Sequence, residues 1–234
     1  MLHCAHMQAL TLLNKTITDC EACPRLVVYR QAIARQKRKQ YRDWDYWGRP
    51  VPGFGDCQAR LYVLGLAPAA HGGNRTGRIF TGDRSGDWLY DALYRYGFAN
   101  QATSQHRGDG LSLADCYIGA TVRCAPPGNK PAPDEFERCG RFLREEIGLL
   151  KNHRVVIALG KIAFDNYLKI CRTQGHAMPA PIPKFGHGVV YRLSWGVTLL
   201  GSYHPSQQNT FTGKLTRSMF NAVFRRARKE IDRT

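Results

Sequence analysis

The stretch Leu61–Gly86, LYVLGLAPAAHGGNRTGRIFTGDRSG, decides the fold. Leu61 to Leu64 form a short apolar run suited to a buried parallel strand, and Gly65 ends it at the edge where open α/β sheets gather their ligands. Ala67, Ala69, Ala70, Gly72, Gly73 and Gly77 fill the segment that follows. Residues this small let the backbone approach a flat ligand closely and present its N–H groups, although many α/β folds use such a turn merely for close packing. Phe80 and Asp83 then place an aromatic plate and a carboxylate near one another. Ser85 suits the N-cap of a helix that buries Leu89, Tyr90 and Leu93 and stops near Gly97. The stretch is no GxGxxG dinucleotide fingerprint, because Ala67 and Ala70 stand where further glycines are needed.

Outward from this stretch, strands alternate with helices. Tyr117 to Val122 and Arg154 to Leu159 read as strands, and Val189 to Leu193 pairs with Val197 to Tyr203 across Ser-Trp-Gly. Helices follow at Pro24, Pro133, after Gly160, and from about Leu215, where Met219, Phe220 and Val223 form the apolar side. Gly160-Lys161 lacks the upstream glycine of a phosphate loop, which disfavours a nucleotide-dependent enzyme. The alternation predicts a mostly parallel sheet covered on both faces. At 234 residues, with no linker, the chain reads as a single domain, 1–234.

Lys and Arg number 34 against 18 Asp and Glu, a formal net charge of +16 that favours a polyanionic partner. The apolar runs are too short to span a bilayer, so a nucleic acid is favoured over a membrane. The basic run Arg35, Lys37, Arg38, Lys39, Arg42 is interleaved with Tyr41, Trp44, Tyr46 and Trp47, which suits a nucleic-acid face and a solvated helix end about equally. The opening MLHCAHMQALTLLNK lacks the basic start and cleavage site of a secretory signal, so a cytoplasmic location is expected. There, eight cysteines speak for metal binding or buried thiols before disulfides. Cys20-x-x-Cys23 with the distant Cys124 and Cys139 makes a four-thiolate set suited to zinc or a [4Fe–4S] cluster. Cys57, Cys116 and Cys171 read as buried thiols, and Cys4 is a weaker alternative ligand.

Three segments carry a family resemblance. GLAPAAHGGNRTGR followed by FTGDRSG (65–86) resembles the first motif of the family 5 uracil-DNA glycosylases, the UDGb group, and HPSQQNTFTGKLT (204–216) resembles the second. YWGRPVPGFGD (46–56) is similar to the same pattern, and Cys20, Cys23, Cys124 and Cys139 look like the cluster ligands of families 4 and 5. The resemblance implies a three-layer α/β/α sandwich around a short, mostly parallel sheet, with an N-terminal segment that helps to bind a structural [4Fe–4S] cluster. It implies a monomeric, monofunctional glycosylase that removes uracil, and other deaminated bases such as hypoxanthine, from double-stranded DNA in base excision repair. No family motif places Lys130 or Lys161 as a lyase nucleophile.

Such a site needs donors at the base oxygens and a group that delivers water. The resemblance assigns His204 to the leaving base. Related glycosylases carry Asp or Asn at the third position of the first motif, where this chain has Ala67. Asp83, the carboxylate nearest the motif, is the first choice for activating water and Asn129 the second; the other reading of Asp83 is a helix cap. Base recognition falls to Phe80, to the backbone of Gly65, Leu66 and Ala67, and to His71, Asn74 or Asn129. Ser206, Gln207, Gln208 and Asn209 are assigned to the DNA gap or groove, and Arg78, Arg84, Arg225, Arg226 and Arg228 to phosphates. The competing reading is an iron–sulfur protein that binds nucleic acid without cutting it.

Overall fold

The structure, a computed structural model, describes residues 2–233, with side chains from Met7 onward. Cys4 therefore lies outside the residues whose side chains are described. Among the described residues, six strands form one sheet: β1 (Phe54–Gly55), β2 (Leu61–Gly65), β3 (Cys116–Ala120), β4 (Val155–Leu159), β5 (Val190–Arg192) and β6 (Thr198–Ser202). Their order is β1-β3-β2-β4-β6-β5. The inner four run parallel, and short antiparallel strands close the edges, β1 on β3 and β5 on β6. Every residue of β2, β3, β4 and β6 is buried, which is why these strands read as unbroken apolar runs rather than alternating ones.

Among the described residues, eight α-helices flank the sheet: α1 (Leu2–Thr18), α2 (Pro24–Gln36), α3 (Gly73–Thr76), α4 (Arg84–Arg95), α5 (Pro133–Leu149), α6 (Lys161–Thr173), α7 (Gln207–Phe211) and α8 (Arg217–Ile231). The core divides by sheet face, as a period of two requires. Tyr62, Leu64, Val156, Ala158 and Leu199 pack against α1, α2, α5 and α6. Leu61, Val63, Val155, Ile157 and Leu200 pack against α4 and α8. The expected three-layer sandwich is present. Helix α1 is an addition; its signal was the apolar spacing of Leu10, Leu13 and Ile17, all buried.

Two polar networks sit inside this frame. On the first face, Arg123 and Glu146 form an ion pair at 2.8 Å with exposures of 1% and 0%, and Tyr62 Oη donates to the same Glu146 oxygen at 2.5 Å. On the other side Arg78 pairs with Asp109 at 2.6 Å and bonds to Thr81 and Ser104. The chain leaves β2 for β3 on one side and β4 for β6 on the other, so a crevice opens between the carboxyl ends of β2 and β4.

Candidate active site and cysteine cavity

Gly65 closes β2 and Gly160 closes β4 at this crevice. The Phe80 ring lies directly over Gly65, where an added Cβ would stand 2.7 Å from Cζ. Phe80 has a left-handed backbone (φ 51°), uncommon for an aromatic residue and a mark of local strain at a functional position. Its ring stacks on His204, with centroids 5.8 Å apart and planes inclined by 30°. His204 in turn sits beside Gly160, whose added Cβ would be 3.7 Å from the histidine Cβ. Three carboxyl-edge segments thus bring an aromatic face and an imidazole together. Burial pushes the imidazole pKa down to about 4, so the ring is neutral at pH 7.

The segment after β6 explains how His204 is held. Ser206 caps α7 by accepting from Asn209 N, and Asn209 Nδ2 donates to His204 O at 2.9 Å. Ser206 N donates to the same carbonyl at 2.8 Å. Ser206 and Asn209, expected at the DNA, therefore build the histidine loop; Gln207 and Gln208 are exposed beside it. The sequence reading missed Phe211 on the same helix: it is 69% exposed, with the Arg84 guanidinium 4.3 Å over its ring. Its place inside the 204–216 segment was the available signal.

Asp83, rather than Ser85, is the N-cap of α4: Oδ1 accepts from Gly86 N at 3.0 Å, which satisfies an orphan donor of the first turn. Its Oδ2 lies against Gly72, where any side chain would collide with it. Burial, the largest influence, raises the Asp83 pKa, while the backbone N–H groups of Gly86 and Ser85 restrain it. The carboxylate thus caps the helix with Oδ1 and keeps Oδ2 against the loop at Gly72.

Several placements differ from expectation. Arg78 is buried in its pair with Asp109 and clamps the loop to residues 104–109, so it faces no phosphate. Asn74 is fully buried and donates to Arg30 O at 3.2 Å, tying α3 to α2 rather than presenting itself to a base. Arg228 donates to Tyr96 O and pairs with Asp115, just before β3, at the sheet edge opposite the crevice, and Arg226 pairs with Glu230. Asn129 is exposed with φ 57°, and no described contact joins it to Asp83 or His204. His71 faces Tyr46, with Nδ1 and the phenol oxygen 3.1 Å apart. Leu66 is held by Thr121, whose hydroxyl donates to Leu66 O at 2.7 Å, and Ala67 packs on the core beside it. The aromatic side chains of the basic run turn inward: Tyr41 and Trp44 cover Arg75.

A second concavity lies on the other face. Cys20, Cys23, Cys124 and Cys139 all line one small cavity, walled by Leu26, Val27, Val122 and Phe142. Arg123 N donates to Cys139 Sγ at 3.3 Å, and Arg141 reaches Cys20 Sγ at 3.7 Å. Burial pushes the thiol of Cys124 up to about 12 and that of Cys139 to about 11. Among the described residues, no three His, Cys, Asp or Glu side chains close on a single metal ion. Cys57 is partly buried, and Cys116 and Cys171 are buried apart from this group.

A family model described as the uracil DNA glycosylase superfamily matches residues 52–228. The type-5 uracil-DNA glycosylase of Mycobacterium tuberculosis is 53% identical over 218 residues, covering 93% of this chain and 80% of that protein. That of Thermus thermophilus is 48% identical, covering 92% and 95%. A type-4 uracil-DNA glycosylase of Pyrobaculum aerophilum is 29% identical, covering 83% and 81%. Fold, crevice and these similarities agree: the chain belongs to the uracil DNA glycosylase superfamily and, within it, to the type-5 uracil-DNA glycosylases.

Proposed function

We propose that this protein hydrolyses the N-glycosidic bond of uracil in DNA and leaves an abasic site, and that hypoxanthine is a further substrate. The observation that carries the reading is the stack of Phe80 on His204 over Gly65, with Asp83 anchored at the end of the same loop. A base that leaves the duplex, at a cost of roughly a few kcal/mol and least at a mispair, lies against Phe80. As the bond from C1′ to the base breaks, its electron pair goes to the base. Neutral His204 donates a hydrogen bond to the oxygen where that charge collects. A water molecule adds to C1′ and gives its proton to the Asp83 carboxylate, whose raised pKa makes it the stronger base. Gln207, Gln208, Phe211 and Arg84 face the DNA beside the extruded nucleotide.

The four cysteines fit a [4Fe–4S] cluster better than one ion: they share a cavity with apolar walls, a backbone N–H donor at Cys139 and nearby arginines, yet do not converge on a point. Such a cluster would cross-link the α1–α2 turn, the loop after β3 and α5. Buried thiols with raised pKa values stay protonated without a metal, so loading releases protons.

Single-turnover assays on labelled duplexes carrying uracil or hypoxanthine, read by alkali cleavage, test the reading. Wild type forms abasic sites, and the His204→Ala variant is roughly 100- to 1000-fold slower. If folded wild type binds the duplex and never releases a base, the chain is a nucleic-acid-binding protein and not a glycosylase.

A further inference from the structure

We propose that Arg75 is a positioning residue for Asp83, acting as a clasp across the loop between β2 and α4. The inference rests on Asp83 as the group that activates water. Arg75 Nε donates to His71 O at 2.8 Å and Nη2 donates to Gly82 O at 2.9 Å. The residues next after these two acceptors are Gly72 and Asp83, the pair that meets at the carboxylate. One guanidinium therefore sets both sides of that contact. The approach is tight: Gly82 has φ 76°, and a Cβ there would collide with Arg75 Nη2.

The clasp is itself held from outside the loop. Its guanidinium carbon lies 3.8 Å from the Tyr41 ring centroid and 4.0 Å from that of Trp44, and Arg75 is 3% exposed. Trp47 N donates to Arg75 O and Gly48 N to Asn74 O, at 2.9 and 3.0 Å. Residues 41–48 thus form a strap over α3, which gives the aromatic residues of the basic run a task inside the protein. Arg75 Nη1 is buried with no hydrogen-bond partner, an arrangement that stability alone disfavours. Lysine would keep the charge but not the fork that spans two carbonyls.

Charge points the same way. The charged groups acting on Asp83 are Asp87 on α4, which raises its pKa, and Arg75 on α3, which lowers it, beside the amides of Gly86 and Ser85. Removing Arg75 therefore moves the carboxyl titration to higher pH.

The test combines a carboxyl titration of Asp83 by carbon-13 NMR with single-turnover rate and affinity for a uracil duplex, in wild type and two Arg75 variants. Arg75→Gln is expected to move the Asp83 midpoint and the acid limb of the rate profile upward together. It should cut the rate by about tenfold or more, with duplex affinity held within about twofold. Arg75→Lys should leave the midpoint in place and still slow the reaction. The roof variant Tyr41→Leu with Trp44→Leu keeps the charge and loosens the fork, so it should resemble Arg75→Lys, and the two keep the rate test open if Arg75→Gln does not fold; a wild-type rate in both overturns the proposal. An unmoved Asp83 midpoint in Arg75→Gln, or a rate loss that merely follows folded fraction or affinity, overturns the proposal. A wild type that releases no uracil sinks the glycosylase reading instead, and the titration still decides the clasp.

Discussion

Gly65→Ala isolates the geometry of the crevice, because Gly65 does not have a positive φ and its backbone accepts alanine. The new methyl would stand 2.7 Å from Phe80 Cζ and 2.8 Å from Cε2. That is about 0.7 Å inside ordinary van der Waals contact, on the repulsive side of the dispersion well. The ring has little room to yield: it is 7% exposed, stacked on His204, and carried by a backbone already in the left-handed region. Overpacking of this kind costs roughly 1–3 kcal/mol of stability, and a displacement approaching 1 Å at a reacting centre costs up to about 100-fold in rate. We therefore expect Gly65→Ala to fold, to melt several degrees lower, and to excise uracil about 10- to 100-fold more slowly in single turnover. The control is Phe80→Leu, which deletes the ring. In that background Gly65→Ala should cost less than about threefold, since the two sites are coupled only through the overlap. A wild-type rate for Gly65→Ala, or the same loss in both backgrounds, would refute the steric reasoning.

The acid stability profile follows from His204. Its folded pKa of about 4 lies below the ordinary 6.5, so between these values the unfolded chain takes up a proton that the folded one refuses. Stability should fall by up to about 3 kcal/mol as pH drops through that window, and His204→Asn should flatten the profile in denaturant titrations. Glu146→Gln leaves the buried Arg123 charge uncompensated and should destabilise by about 3–5 kcal/mol, seen as a lower midpoint at unchanged slope; an unaltered midpoint contradicts the pair's role. Cys124→Ala and Cys139→Ala should lower the iron-to-protein ratio and the visible colour together, whereas Cys171→Ala should leave both intact.

The sheet was readable because its inner strands are buried on both faces, so each shows as a short apolar run, and the helix starts are marked by Pro24 and Pro133. The edges were less legible. Phe54–Gly55 is too short to carry a pattern, and α1 shows only the sparse apolar spacing of Leu10, Leu13 and Ile17. For the cap of α4 the sequence offers both Ser85 and Asp83, each a good cap, and only backbone direction chooses Asp83.

Charge was the least reliable guide. Arg78 and Arg228 look alike in a basic sequence, yet each is consumed by a partner distant in the chain, Asp109 and Asp115, while Arg226 is taken up by Glu230 one turn further along α8. Asn74, read as a base contact, is the buried tie between two helices. An ion pair or a buried amide is a property of two segments, and a single segment does not display it.

By itself the sequence determined the strand and helix alternation, the side chains on offer at Phe80, Asp83 and His204, and the four candidate thiolates. These follow from local periodicity, turn chemistry and motif, all of which act over a few residues. The tertiary structure alone decided that Phe80 and His204 stack over Gly65, that Asn209 holds the histidine loop, and that Arg75 lies beneath Tyr41 and Trp44. The physical reason is strand order: placing β4 between β2 and β6 brings the loops after β2 and β6 to one crevice, and no local pattern along the chain specifies that adjacency.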